Sequence, residues 1–261
     1  VAAPILPLAF NDVPFAVYDG AHGTFSQFLA DTTAQQQVTF NLHGSTTAQV
    51  GTAAGSVSIS DIPFNVDSTI LGLQNFNARP AVVSNLDVAR GYPDYLDITL
   101  DTALYNPSDI TITTGTVNFN TMYTNRLIGE AIINDLTVTP GTTNLPTSLR
   151  YSPQGAENVR AGQTVLENYV QNITSAAIVQ GTRGSTPIES LQQALSGVAL
   201  NTDIPPLMRL IITEAILQVP KNIAQNGGVA STEVVVANPF TASLNIIKVK
   251  ADAIYNDLTI G

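Results

Sequence analysis

His22 and His43 are the only imidazoles in the chain of 261 residues, and it has no cysteine. Thiol catalysis, disulfides, cysteine zinc sites and iron–sulfur clusters are therefore excluded. The histidines sit in Asp19-Gly-Ala-His22-Gly23 and Leu42-His43-Gly44-Ser45. Neither context has the i,i+4 spacing of a helical zinc site or a G-x-S-x-G elbow. A base and nucleophile pair from His43 and Ser45 needs one continuous strand carrying both on a face, and a triad also needs an oriented base and an oxyanion hole. Both histidines read instead as turn or strand-end residues. Asp97 and Asp101 share a strand face, but strand rise sets their Cα atoms roughly 13 Å apart, too far for the carboxylate pair of glycoside hydrolysis. Adding Asp94 makes a weak calcium edge without an Asp-x-Asp-x-Asp-Gly loop, so the three read as a solvated face. No residue is assigned as catalytic, cofactor-binding or metal-ligating, and no cofactor is expected.

Asn172-Ile173-Thr174 is the single N-x-S/T triplet without proline, which makes Asn172 the candidate for N-glycosylation in a secreted protein. Phe10, Phe15, Tyr18, Phe25 and Phe28 could line a lipid groove, although aromatic rings more often fill a sandwich core. Only 11% of residues are charged, against about 25% in ordinary soluble domains. The surface must therefore be largely Thr, Ser, Asn and Gln, as on extracellular, cell-surface or organelle-lumenal β-modules. A net charge of −10 with no cluster of Lys or Arg opposes nucleic acid and anionic lipid headgroups as partners. The most apolar stretch, Leu207 to Val219, is broken by Arg209, Thr213, Glu214 and Gln218. Membrane attachment is expected only through an anchor outside this chain.

The elements around these residues are mostly strands. Val38-Thr-Phe40-Asn-Leu42, Ser56 to Ile62 and Leu96-Asp-Ile98-Thr-Leu100 alternate apolar and polar residues. Ile110 to Ile112, Thr116 to Phe119, Ala131 to Ile133 and Leu136 to Val138 continue the pattern up to the turn at Pro140-Gly141. Apolar residues then recur at helical spacing, which predicts an amphipathic helix over Glu157 to Ile178. A second helix is predicted from Thr186 as N-cap, Pro187 at N1, Glu189 closing a capping box, and Gly197 just past its end. Val198 to Leu200 and Ser231 to Val236 return to strand.

Self-similarity organises these elements. Asn106-Pro107 leads into Ile110, Ile112, Val117, Tyr123 and Gly129; Asn238-Pro239 leads into Ala242, Leu244, Val249, Tyr255 and Gly261. The two runs align without a gap at an offset of 132, from Asn106 to Asn238. Asp61-Ile62-Pro63 is echoed by Asp203-Ile204-Pro205. A shorter competing register sets Asn134-Asp-Leu-Thr137 on Asn256-Asp-Leu-Thr259, but it matches fewer apolar positions. An Asn-Pro step ends a strand, because proline donates nothing to a ladder and asparagine turns readily.

Asn106-Pro107-Ser108 before an alternating strand, then Gly129 and Leu136 to Gly141, resembles the late-embryogenesis-abundant type 2 (water-stress and hypersensitive-response) β-sandwich family. The likeness is closest to its fungal branch of tandem, membrane-anchored proteins. It covers Gln37 to Pro153 well and Val198 to Gly261 in part. The resemblance implies immunoglobulin-like sandwiches and no catalytic residues. The second copy breaks off at Gly261, where the first runs on from Glu130 to Pro153.

These readings give a mainly β chain of tandem immunoglobulin-like antiparallel β-sandwiches with a short helical connector, the second sandwich incomplete. Residues 1–36 form an N-terminal arm, 37–153 the first sandwich, 154–197 the connector and 198–261 the partial second sandwich. The repeat-defining residues are Asn106, Pro107, Gly129, Asn238, Pro239 and Gly261. The expected role is a non-catalytic structural or interaction module outside the cytoplasm, with a protein partner or self-association. One alternative is a homopolymer in which the arm, with strand-like Leu6 to Phe10 and Val13 to Val17, completes a neighbour's sandwich. A lipid or hydrophobic-ligand carrier is the other.

Overall fold

The computed structural model describes residues 15–53, 55–222, 225, 230–248, 252 and 254–259. Helix α1 (His22–Ala34) leads into a long hairpin of β1 (Gln37–Thr52) and β2 (Gly55–Leu71). Five strands follow: β3 (Ala81–Gly91), β4 (Leu96–Asn106), β5 (Ile112–Tyr123), β6 (Arg126–Val138) and β7 (Gly141–Tyr151). Helix α2 (Ala156–Val170) comes next, then β8 (Ser175–Gln180), α3 (Glu189–Ser196) and β9 (Ala199–Ile204). Two small hairpins complete the described chain, β10 (Ile212–Gln218) with β11 (Ser231–Val236) and β12 (Ile254–Tyr255) with β13 (Leu258–Thr259).

The chain is mainly β, as its alternation predicts, but the central sheet closes on itself. Its strand order is β3-β4-β7-β6-β5-β8-β9, and β9 returns to β3 in parallel through Ala81 with Thr202 and Val82 with Asp203. Two facing sheets would keep separate edges. Here β8 and β9 bridge the edges of β5 and β3, so a closed seven-stranded sheet stands where the first sandwich was expected. The expected boundary between residues 197 and 198 falls inside this sheet.

Period-two alternation fills the interior. Ile98 and Leu104 of β4, Val117 and Phe119 of β5, Ile133 of β6 and Leu145 and Leu149 of β7 are all buried. One end is covered by α1 and α3 over Leu73, Phe76, Leu195 and Val198. Gly72 lets α1 sit close, since a Cβ there would lie 2.1 Å from the Gln35 carbonyl oxygen. At the other end Ala161 and Val165 of α2 pack with Ile128 and Tyr151.

Three local readings change. The helix predicted to Ile178 ends at Val170: Asn172 takes a left-handed φ of 61°, and Ser175 to Gln180 form β8 instead. The capping box belongs to the short turn before α3, where Thr182 and Ser185 exchange side-chain and backbone bonds. Thr186 accepts from the Ile188 amide at 3.2 Å, and α3 starts at Glu189. Strand β7 runs on from Gly141 to Tyr151, past Pro146, which interrupts the strand pattern of the sequence. Proline is tolerated there because β7 pairs with β4 along its whole length, whereas β6 joins it only from Ser148 onward.

The N-terminal arm is partly a helix: α1 occupies its last third and packs on α3. Phe15 to Tyr18 have no strand pairing, while the strand-like Leu6 to Phe10 and Val13 lie outside the described residues.

Candidate functional site

His22 opens α1 and is exposed. His43 and Ser45 do share a strand face, opposite Asn65 and Pro63 on β2, but both are exposed and no hydrogen bond joins them. Asp97 lies opposite Arg150 and Arg90 in the neighbouring strands, Asp101 accepts from Asn85 Nδ2 at 2.7 Å, and Asp94 is exposed in the β3–β4 turn. The structure brings none of these carboxylates together. Among the described residues no group of three or more His, Asp or Glu could hold a metal ion, and no helix is long and apolar enough to cross a membrane.

The repeat-defining residues have clear local roles. Asn106 is 1% exposed and organises the bend after β4. Its Oδ1 accepts from the Ser108 amide at 2.9 Å and the Ser108 hydroxyl at 2.7 Å, while Nδ2 donates to the Ile110 carbonyl at 2.8 Å. Pro107 holds the step between these contacts. The same bonds recur 132 residues on: Asn238 Nδ2 donates to Ala242 O at 2.7 Å, and the Phe240 amide donates to Asn238 Oδ1 at 3.1 Å across Pro239. The hairpin turns match as well. Thr124 and Asn125 are left-handed between paired Tyr123 and Arg126, as are Asn256 and Asp257 between paired Tyr255 and Leu258. Gly129 lies where β6 crosses β7, and a Cβ there would meet the Arg150 carbonyl oxygen at 2.5 Å. Gly261 lies outside the described residues.

The closed sheet encloses a cavity of about 120 Å³ along its axis, lined among others by Ile98, Phe119, Leu149 and Leu200. Its threonines are mostly engaged: Thr147 Oγ1 donates to Thr102 Oγ1 at 3.0 Å, and Thr202 Oγ1 to the Ala81 carbonyl at 2.9 Å. The hydroxyl of Thr121 is buried without a partner. Burial pushes the Tyr151 phenol up to about 12, and it raises that of Tyr169 as well, with the nearby Asp87 acting in the same direction.

A further surface escaped the sequence reading. β1 and β2 form a two-stranded ribbon roughly 50 Å long at strand rise. One face presents Val38, Leu42, Val50, Val57, Phe64 and Val66, and the other presents Thr39, Asn41, His43, Asn65, Asp67 and Thr69. The phase survives the whole length because a bulge between Thr46 and Ala48, with Asp61 at φ 58°, inserts one residue into β2. The Phe64 ring lies over Gly44, 3.0 Å from where a Cβ would be. Stacked or edge-on rings of Phe25, Phe28 and Phe40 anchor α1 to the base of the ribbon. Leu42, Val50, Val57, Phe64 and Val66 are each more than 40% exposed, unusual for one contiguous apolar face. The signal that could have revealed this face was the change of alternation phase at Asp61.

Asn172 is exposed in the turn after α2, where its Oδ1 accepts from the Met208 amide at 2.7 Å. Phe15 and Tyr18 are exposed, and the Phe15 ring lies 5.7 Å from that of Phe25.

The class these features define is a mainly β protein whose central seven-stranded sheet closes on itself. Residues 11–121 match a family model described as a protein of unknown function, DUF3712, which is less than half of the chain and runs from before α1 to within β5. No curated protein and no solved structure matches the chain.

Proposed function

We propose that this chain is a non-catalytic structural module of a tandem β array working outside the cytoplasm, of the late-embryogenesis-abundant type 2 kind. Each copy in this reading is a β unit, related to an immunoglobulin-like sandwich but closed along both edges by strands of the next. The observation that carries it is the position of β8 and β9. They close the sheet of β3 to β7, and in this reading they stand as the opening strands of the second copy, ahead of its Asn-Pro step. Units joined in this way cannot separate without breaking a sheet, which suits a load-bearing or spacing role better than a hinged carrier. The hydroxyl- and amide-rich surface and the exposed Asn172 support a location outside the cytoplasm.

The hydrophobic-ligand reading rests on the axial cavity. At about 120 Å³ it falls below the roughly 300–1,000 Å³ of ligand pockets and near the size that holds a benzene. Native mass spectrometry of the chain purified from its own source tests the choice. The expected spectrum shows polypeptide, with any added mass removed by a peptide-N-glycosidase and absent from Asn172→Gln. A stoichiometric acyl lipid released on denaturation would overturn the structural reading.

A further inference from the structure

The order of elements repeats along with the sequence. A helix, an antiparallel strand pair and a second antiparallel pair ending at an Asn-Pro step occur as α1, β1–β2, β3–β4 and Asn106-Pro107. They occur again as α2, β8–β9, β10–β11 and Asn238-Pro239, except that β8 and β9 are joined through α3 where β1 and β2 form a direct hairpin. The pairing supports the equivalence: Val82 and Val83 of β3 oppose Ala103 and Thr102, and Glu214 and Ala215 of β10 oppose Val235 and Val234, each 132 residues further on. In this alignment β1–β2 is the counterpart of β8–β9. The latter does not serve its own copy. It closes the sheet of the preceding one, pairing with β5 on one side and β3 on the other, and buries Ala177, Leu200 and Thr202 inward.

By contrast β1–β2 pairs only with itself among the described residues, although its strands are 16 and 17 residues long against 6 and 6 for β8 and β9. An isolated two-stranded ribbon is marginal in water, and an apolar face on one is a surface awaiting a partner. A complementary surface lies on β10 and β11. β10 pairs only with β11 among the described residues, and their register gathers Ile212, Ala215, Leu217, Val234 and Val236 on one face. Ile212 and Leu217 are about half exposed.

We propose that β1–β2 of one chain enters the sheet of a second copy of this chain, apolar face inward, against β10–β11, taking the place that β8–β9 take in the first copy. This rests on the structural reading above and names its partner. The two surfaces differ and lie near opposite ends of the described chain, so the contact is heterologous and each bound copy still offers a free donor and a free acceptor. Strand addition at an open edge supplies backbone hydrogen bonds, and the facing apolar rows supply the register.

Sedimentation velocity over a concentration series, with full chains, tests this. The donor variant carries Leu42→Asp and Val66→Asp, the acceptor variant Leu217→Asp and Val234→Asp, and a polar-face control carries His43→Asp and Asn65→Asp. Wild type and the control are expected to lengthen with concentration. Each apolar-face variant alone should stay monomeric, its dissociation constant raised at least tenfold, with the circular dichroism of the central sheet retained. Mixed, the two variants should form a 1:1 dimer and nothing longer, because one keeps its acceptor and the other its donor. A wild type monomeric throughout overturns the proposal, as does a mixture that fails to pair. Assembly lost only with the donor variant would mean ribbon-to-ribbon contact and would overturn it too. A monomer leaves the structural module reading standing, since bound lipid is what overturns that.

Discussion

Replacing Asn106 and Asn238 by alanine, separately, measures how much of the repeat motif's stability comes from burial. Both side chains make the same turn, but Asn106 is 1% exposed and Ser108 4%, whereas Asn238 is exposed. Asn106→Ala removes three hydrogen bonds and strands the Ser108 amide and hydroxyl away from water. At about 1 kcal/mol net for each bond, with a further contribution from the orphaned buried partners, the cost is about 3–5 kcal/mol. Asn238→Ala loses two bonds whose partners regain water, so its cost is about 0.5–1 kcal/mol. Urea unfolding followed by far-ultraviolet circular dichroism reads the difference. With a slope of about 2 kcal/mol per M, Asn106→Ala lowers the midpoint by roughly 2 M and Asn238→Ala by less than about 0.5 M. Asn106→Asp keeps the acceptor but sets a carboxylate beside the Ile110 carbonyl, so it should be no better than alanine at pH 7 and recover partly in acid. Equal midpoints for the two alanine variants would refute the claim that burial makes the first turn a keystone.

Gly129→Ala places a methyl group against the Arg150 carbonyl, a backbone atom that cannot swing away; the expected cost is about 2–3 kcal/mol, read as a Tm lower by roughly 5–10 °C. Tyr151 supplies an alkaline signature. Its folded pKa of about 12 exceeds the unfolded value of about 10, so below pH ~10 both states hold the proton and stability is flat. Between pH ~10 and ~12 only the unfolded state releases it, and stability falls by about 2 kcal/mol in all. Tyr151→Phe should remove its share of the alkaline slope in urea titrations at pH 9 to 12, leaving the part that Tyr169 contributes.

Much of the strand content was legible, since half-buried strands print their environment at period two. β4 and β11 lie where alternation and β-branched runs set them, and the match between Asn106 and Asn238 needed only identical residues at a constant spacing. What failed had physical causes. β8 follows α2 after four residues, and Ala176, Ala177, Ile178 and Val179 suit helix or strand equally, so only the left-handed Asn172 decides the matter. β7 hides behind Pro146, which a single-neighbour stretch tolerates. The apolar ribbon face was invisible because one inserted residue at Asp61 shifts the phase, and a fixed period reads the two halves as opposite faces. Closure of the sheet depends on pairings such as Ala81 with Thr202, between residues that no local pattern connects.

That last pairing also bears on synthesis. The parallel seam needs Thr202 and Asp203, which leave the ribosome well after β3 to β7 are made. Until then the nascent chain holds five strands whose inner faces, with Ile98, Val117 and Leu149, have no lid and whose outer edges have no mates. Such a chain exposes apolar surface and unpaired edges while it is being made, and it locks only when β8 and β9 arrive. The two strands made last of the seven are thus the ones that turn an open sheet into a closed one.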